Sequence, residues 1–295
     1  MDHLDRYATT IPEFEVFKET ISQQLPITVR INTLKTSRDR LLDRLSRGGV
    51  AYRPFGWYAL GLRLELEKPG NLIENLMGHI HVQEEISMVP AVVLDPQPGE
   101  EVLDLCAAPG SKTTHISQIM DNRGLVVANE PSPQRVVPLR ANCERLGVFN
   151  VMVTRYDGRR FPRRLFDRVL VDAPCTGQGM ARKDPTVLSR WSLKHSLGLQ
   201  RLQVDLLKRA ISLTKPGGAI IYSTCTLAPE ENEGVVNLAL KSAKLEDVVV
   251  PGLLKSPGLV EWDGTEYIRE MERCARYYPH QNDTGGFFVA KLIKE

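Results

Sequence analysis

The sequence predicts an α/β protein with a doubly wound sheet, preceded by a small α+β unit. From Glu101 onward, apolar strands alternate regularly with helices, as in EVLDLC followed by KTTHISQIM. Such alternation is typical of a parallel sheet covered by helices on both faces. The first 75 residues instead mix helical spacing with short alternating strands. We therefore expect two domains, residues 1–75 and 76–295.

The N-terminal unit is predicted from five short segments. Ser37 is the expected N-cap of the second helix, and a glycine pair ends it. The predicted order is helix EFEVFKETISQQL, strand ITVRINTL, helix SRDRLLDRLSRGG, and strands VAYRPF and RLELE.

The larger domain follows with six predicted strands. Ligands of doubly wound sheets bind beyond the carboxyl ends of the strands, where every candidate residue below falls. The strands are EVLDLC, GLVVANE, NVMVT, FDRVLVD, AIIYST and GGFFVAKLIK. The helices between them are KTTHISQIM, SPQRVVPLRANCERLG, SLGLQRLQVDLLKRAISL and one that begins near Glu230.

The composition is that of a globular protein, with 42% hydrophobic and 25% charged residues among 295. No apolar run reaches the roughly 18 residues of a transmembrane helix. The N-terminus shows no secretory h-region, so we expect a cytoplasmic protein. Five scattered cysteines without CxxC spacing argue against a disulfide framework and a zinc site.

Positive charge is clustered rather than abundant. The net charge of +2 does not by itself indicate nucleic-acid binding. Residues 155–168 nevertheless carry six arginines, and this segment is either a solvated basic loop or a patch that contacts phosphates. They are Arg155, Arg159, Arg160, Arg163, Arg164 and Arg168.

The loop after the first strand of the larger domain is a candidate ligand site. In LDLCAAPGSKTT, Ala107, Ala108 and Gly110 allow a close approach to the backbone, and the following helix offers free amides. The loop has neither the GxGxxG nor the Walker A pattern, which disfavours a phosphate cradle. It suits a ligand without pyrophosphate, such as S-adenosylmethionine. A tight structural turn is the alternative.

Two acids follow the next strands, where an adenosine would lie. Glu130 can accept hydrogen bonds from both ribose hydroxyls. The alternative is that Asn129 at the end of this strand serves only as the N-cap of the following helix. Asp157 can accept the exocyclic amine of an adenine, or merely form an Asx-turn before Gly158.

Two cysteines each follow a predicted buried strand, Cys175 in DAPC and Cys225 in STC. A single buried cysteine is usually a small hydrophobe, but two at sheet ends can converge on one pocket. A thiolate beside a methyl donor suits methylation of pyrimidine carbon 5, because thiolate addition to carbon 6 makes carbon 5 nucleophilic. Lys112 or Lys183 would favour the thiolate. Asp172 is placed to bind the cytosine amino edge and N3.

At these residues the sequence resembles the Sun family of RNA (cytosine-5) methyltransferases, which use S-adenosylmethionine. The resemblance covers nearly the whole chain, and its motifs are long and specific. They are VRINTLK (29–35), HVQEEISM (81–88), VLDLCAAPGSKTTHI (102–116), RANCERLGV (140–148), DRVLVDAPCTGQGMARKDP (167–185), YSTCTLAPEENEGVV (222–236) and PHQNDTGGFFVAKL (279–292).

The resemblance implies a Rossmann-like methyltransferase domain behind a small RNA-binding subdomain. It also implies that Cys225 is the nucleophile and that Cys175 assists release of the methylated RNA. Arg182 and Lys183 would approach RNA or the catalytic region, and Arg159, Arg160 and Arg163 are our further RNA-binding candidates. The implied cofactor pocket comprises Cys106, Ala107, Ala108, Pro109, Gly110, Lys112, Glu130, Arg135, Asp157 and Asp172.

Several alternatives remain at this point. A non-catalytic RNA-binding factor would normally have lost Cys175, Cys225 or Asp172, and none is lost. DNA cytosine-5 methyltransferases use the cysteine of the Pro-Cys motif as nucleophile and lack a counterpart of Cys225, so Cys225 argues against a DNA enzyme. No appended RNA-binding domain is visible, and we expect a compact, monomeric enzyme. This favours tRNA as the substrate, with ribosomal RNA as the alternative. No metal is expected.

Overall fold

The computed structural model describes residues 3–295. Within them, one sheet has four strands, a second has nine, and a two-stranded ribbon lies apart. The strands are β1 Thr28–Ile31, β2 Tyr52–Pro54, β3 Gly61–Leu64, β4 Ile80–Val82, β5 Glu101–Asp104, β6 Leu125–Asn129, β7 Val151–Thr154, β8 Phe166–Asp172, β9 Thr214–Thr224, β10 Ala243–Glu246, β11 Ser256–Pro257, β12 Glu261–Trp262, β13 Thr265–Glu266, β14 Ala275–Tyr277 and β15 Phe287–Lys294.

Helices connect most of these strands. The α-helices are α1 Phe14–Ile21, α2 Arg38–Arg47, α3 Ile73–Leu76, α4 Val89–Leu94, α5 Ser111–Ile119, α6 Pro133–Leu146, α7 Thr186–Arg190, α8 Leu193–Leu213, α9 Glu233–Ala239 and α10 Pro279–Asn282. Short 3-10 turns lie at Asp5–Tyr7, Pro69–Asn71, Ile86–Met88, Gly158–Arg160, Gln178–Met180 and Arg269–Arg273.

The small sheet is antiparallel, in the order β2-β3-β1-β4. Leu41 and Leu45 of α2 are buried against its apolar side chains. Ser37 caps α2 as expected, because its hydroxyl accepts a hydrogen bond from the amide of Arg40. Strand β4 joins this sheet although it lies beyond residue 75, in the range assigned to the larger domain. The domain boundary at residue 75 stays a prediction.

The large sheet is mixed. Its strands β7-β6-β5-β8-β9 are parallel, as predicted, but β15 pairs antiparallel with β9. The expectation of an all-parallel sheet was therefore wrong for the last strand. The physical reason is that β15 begins beside the carboxyl end of β9, with Phe288 opposite Thr224. An apolar run specifies a strand but not its direction.

Alternate residues of the central strands face two separate cores. Leu103, Val169 and Ile220 pack in one cluster with α8, whereas Val102 and Leu170 pack in another with α4 and α5. This alternation is what a strand period of two requires of a sheet that is buried on both faces. The predicted doubly wound α/β fold is confirmed.

The N-terminal segment packs where it was not expected. Phe17 and Ile21 of α1 lie in an apolar cluster with Ala181, Leu227 and Tyr278 of the larger domain. The amphipathic pattern of α1 predicted a buried face but could not predict which surface it covers. The segment therefore packs beside the two stretches that carry Cys175 and Cys225.

The small sheet is joined to the large domain by buried polar contacts. Arg30 of β1 is fully buried and donates to the carbonyl of Ser111, at 3.1 Å, and to Thr114 Oγ1, at 3.0 Å. The ring of His81 lies 2.9 Å from Ser111 Oγ. These contacts fix the small sheet against the first turn of α5. Across the described chain, every helix is too short or too polar to cross a membrane.

Candidate active site

The two predicted thiols meet. Cys175 Sγ and Cys225 Sγ lie 3.4 Å apart. They converge because β8 and β9 are parallel neighbours whose pairing ends at Asp172 and Ser223, just before the two cysteine turns. The hydrogen bond with Cys225, together with burial, holds the pKa of the Cys175 thiol well above its ordinary value.

Asp172 is oriented by two donors. Ser223 Oγ donates to Asp172 Oδ1 at 2.7 Å, and Lys112 Nζ donates to Oδ2 at 2.6 Å. Burial opposes the charge of Lys112, but the Asp172 carboxylate and, more weakly, Cys225 raise its pKa above the ordinary value. Lys112 is therefore a cation within electrostatic reach of the nucleophile candidate, as the sequence suggested.

Both thiols open onto a cavity of about 270 Å³ beyond the strand ends. Eight predicted residues line it: Cys106, Ala108, Glu130, Arg135, Asp157, Asp172, Cys175 and Cys225. Leu105, Pro131, Leu202 and Leu206 add apolar walls, and Gly158, Ala173 and Pro174 complete the lining.

The remaining loop residues shape the turn instead of lining this cavity. The amide of Gly110 donates to the carbonyl of Ala107, and the carbonyl of Pro109 accepts from Asn142. Gly110 has φ +103°, and a Cβ there would lie 2.9 Å from Leu139. The left-handed backbone favours glycine at this position, whereas the nearby atom is a terminal side-chain carbon of Leu139 that could shift.

Glu130 and Arg135 form one side of the cavity. Glu130 is buried, accepts from the amide of Ser132 at 2.9 Å, and pairs with Arg135 at 3.1 Å. Arg135 also donates to the carbonyl of Ala108. Asn129 caps no helix; its side chain bonds to backbone atoms of Leu105 and Tyr156.

Asp157 is engaged by its own loop. Its carboxylate accepts from the amide of Arg159 at 3.0 Å and forms a 2.6 Å ion pair with that guanidinium. The hydrogen bond from Arg159 holds the pKa of Asp157 below its usual range. The Asx-turn that the sequence offered as an alternative is therefore present. Asp157 also lines the cavity.

The cavity suits a cationic, partly apolar ligand. Glu130, Asp157 and Asp172 supply three carboxylates, while Leu105 and Leu206 provide an apolar surface for a flat ring. S-adenosylmethionine carries a sulfonium, an ammonium, ribose hydroxyls and an adenine, and this donor set matches them. These residues are the ones that would hold the cofactor.

Sequence reasoning missed Asp104, at the end of β5. Its side chain is buried, Oδ2 accepts from Thr113 at 2.6 Å, and Oδ1 has no partner. Burial raises the pKa of Asp104 to about 7. The available signal was its position, since an acid at the carboxyl end of the first strand adjoins the ligand loop.

The predicted RNA-contacting residues lie in different environments. Arg159 and Arg160 line a shallow cleft of about 400 Å³ with Lys208, whereas Arg163 is exposed nearby. Lys183 is also exposed. Their role in RNA binding stays a prediction.

Arg182 points inward. It is buried and bonds to the carbonyls of Gln24 and Thr284 and to the carboxylate of Asp283. These internal contacts favour a structural role over the predicted contact with RNA. Between residues 3 and 295, no group of three or more histidine, cysteine or acidic side chains is arranged to hold a metal ion.

Comparisons with known proteins agree with this geometry. Residues 91–293 match the family described as 16S rRNA methyltransferase RsmB/F, and residues 6–71 match a ferredoxin-like domain of RsmF/B-like methyltransferases. The chain belongs to the RsmB/F family of RNA (cytosine-5) methyltransferases. The resemblance to Sun-family enzymes is thereby confirmed.

Members of this family include enzymes with different named substrates. The tRNA (cytosine(49)-C(5))-methyltransferase of Pyrococcus abyssi is 40% identical over 99% of this chain and 95% of its own length. The 25S rRNA (cytosine-C(5))-methyltransferase nop2 of Schizosaccharomyces pombe is 39% identical over 97% of this chain, which spans only 49% of that protein.

A solved structure of a family relative supports the cofactor assignment. NSun6 from Pyrococcus horikoshii, determined with the S-adenosylmethionine analogue SFG, is 26% identical. It superposes with a TM-score of 0.87, covering 99% of this chain and 97% of the other. The family depends on S-adenosylmethionine, as the sequence predicted.

Proposed function

We propose that this protein methylates carbon 5 of a cytosine in RNA through a covalent intermediate on Cys225. The observation that carries the proposal is the 3.4 Å approach of two thiols at a cavity lined by three carboxylates. S-adenosylmethionine, when bound, supplies the methyl group that carbon 5 accepts.

Cys225 acts first in this proposal. Its thiol loses its proton to solvent, the thiolate adds to carbon 6, and the carbon 5–carbon 6 electrons shift toward carbon 5 and N3, which takes up a proton from solvent. N3 releases that proton to solvent once carbon 5 is methylated. Asp172, held by Ser223 and Lys112, would bind the amino edge and N3 and so favour the addition. The target base must leave its stack to reach the thiol, which is easier in a loop than in a duplex.

Cys175 ends the reaction. Once its own proton has been lost to solvent, the Cys175 sulfur takes the carbon-5 proton, the C–H electrons restore the carbon 5–carbon 6 double bond, and the carbon–sulfur electrons return to Cys225.

Two variants test this division of labour. Cys225→Ala should abolish methyl transfer, and Cys175→Ala should accumulate an RNA–protein adduct that survives a denaturing gel. The double variant serves as the control and should give no adduct. Normal turnover by Cys175→Ala would show that the roles proposed for the thiols are wrong.

We further propose tRNA as the substrate. The Pyrococcus abyssi relative, named for a tRNA position, matches this compact chain over 95% of its length. Ribosomal RNA is the second candidate, because other relatives of similar identity are named for it. Bisulfite sequencing of total RNA, with and without the gene, should show the lost 5-methylcytosine in tRNA; a loss confined to ribosomal RNA would select the alternative.

A further inference from the structure

A buried glutamate lies directly behind the Cys175 turn. Glu231 has no exposed surface. Its Oε2 accepts from the backbone amide of Thr176 at 3.0 Å and from Gln203 Nε2 at 2.9 Å. Its Oε1 accepts from the hydroxyls of Thr176, at 2.5 Å, and Ser196, at 2.9 Å. No lysine or arginine among residues 3–295 forms an ion pair with it.

These bonds hold the chain on both sides of Cys175. Thr176 follows the cysteine directly, and Gln203 also donates to the carbonyl of Pro174, which precedes it, at 2.8 Å. The same glutamate accepts a hydrogen bond at its own carbonyl from Tyr222, in the strand that leads to Cys225. One residue therefore ties both thiol segments together.

The use of a carboxylate here needs a reason beyond packing. A buried charge without a neighbouring cation is costly unless hydrogen bonds satisfy its lone pairs. Four donors bond to the carboxylate of Glu231. An apolar side chain would fill the space but would leave the amide of Thr176 without an acceptor. The carboxylate thus specifies one conformation of the turn that presents Cys175.

We propose that Glu231 is a positioning residue that holds Cys175 in place for the step that releases the methylated RNA. The inference rests on the proposed function, because it assigns to Glu231 the step assigned above to Cys175. It separates this residue from Glu230, which contacts Arg6 and Trp262 and makes no contact with the cysteine turn.

The test compares Glu231→Gln and Glu231→Ala with the matched variant Glu230→Gln. In Glu231→Gln, the carbonyl still accepts from Thr176 and Gln203 while the amide donates to the two hydroxyls, so the fold should be kept. Glu231→Gln, which keeps these contacts, should retain most of the turnover. Glu231→Ala should accumulate the RNA–protein adduct and lose turnover by about ten- to hundredfold. Glu230→Gln should do neither.

Cys175→Ala is assayed in parallel to separate the possible failures. If Cys175→Ala accumulates adduct but the folded Glu231→Ala protein loses adduct and turnover together, or turns over normally, the inference is wrong and the proposed function stands. The inference is also wrong if Glu231→Gln loses as much turnover as Glu231→Ala. If Cys175→Ala accumulates none, the inference and the proposed role of Cys175 both fall. Circular dichroism of each variant establishes that it is folded.

Discussion

Asp104 is a buried acid next to the loop that follows β5. The carboxylate is fully buried at the end of β5, where its Oδ2 accepts a hydrogen bond from Thr113. Burial, which disfavours the ionised form, outweighs that bond and raises the pKa of the group to about 7. Its pKa therefore lies much closer to neutral pH than that of an exposed aspartate.

The stability of the protein should therefore depend on the ionisation of Asp104. The folded state keeps the proton between the ordinary pKa of 3.8 and about 7, whereas the unfolded chain loses it near 3.8. Stability present at low pH is thus lost as the pH rises through this window. Asp104→Asn should remove this loss, so its advantage over the native protein should grow by about 2–4 kcal/mol between pH 4 and 8. Urea titrations measure it, and a difference that stays constant with pH would contradict the prediction.

At the scale of elements, a short chain of backbone contacts holds the two cysteine turns together. The amide of Gly179 donates to the carbonyl of Cys225 at 2.9 Å, and the carbonyl of Gly179 accepts from Gly286 at 2.8 Å. The adjacent Gly285 in turn donates to the carboxylate of Glu84. Elements far apart in sequence therefore depend on one close glycine contact beside Cys225.

Replacing Gly179 should disturb this arrangement. A Cβ at Gly179 would lie 2.0 Å from the carbonyl oxygen of Gly286 and 2.8 Å from that of Cys225, and neither backbone atom can move freely. We expect Gly179→Ala to cost about 1–3 kcal/mol of stability, as overpacking does, and to lower turnover. Urea unfolding and methyl incorporation are the measurements.

Gly198 provides the matched control. It lies within α8, and a Cβ there would meet no atom within 4 Å. Gly198→Ala should stabilise the protein by about 0.5–1 kcal/mol, because alanine is the better helix residue, and should leave turnover unchanged. Equal effects of the two substitutions would show that the close approach of Gly179 has no special role.

At the scale of the whole molecule, an ion-pair network joins the small sheet to the cysteine region. Arg63 of β3 pairs with Glu85 and with Asp283, and Asp283 also pairs with Arg182 in the segment after Cys175. The buried Arg30 makes a second connection, to α5. The small sheet is thus attached both to α5 and to the segment after Cys175. A substrate bound to that sheet would therefore be fixed relative to the thiols.

The sequence allowed the fold class and the meeting of Cys175 with Cys225 to be predicted, because parallel strands end at one edge of a sheet. It could not predict that β15 runs antiparallel, since the direction depends on where the preceding loop lies. The inward orientation of Arg182 was equally hidden, because an arginine beside a lysine in a polar loop gives no sign of burial. Glu231 lies in the motif YSTCTLAPEENEGVV, but its contacts depend on Gln203 and Ser196 of α8, which are 28 and 35 residues away in the sequence.

The arginine-rich segment is best tested through the salt dependence of RNA binding. Arg160 and Arg163 are exposed and make no ion pair among the residues that the structure describes, whereas Arg164 pairs with Glu101 at 2.8 Å. A cation that contacts a phosphate releases counterions, so losing two contacts should reduce the slope of log K against log salt by about 1–2. Arg160→Gln combined with Arg163→Gln should weaken binding to this extent whatever the RNA sequence. Arg164→Gln should change it less, since its charge is already partly compensated. Filter binding over a range of salt concentrations measures the slope, and an unchanged slope in the double variant would mean that this segment is only a solvated loop.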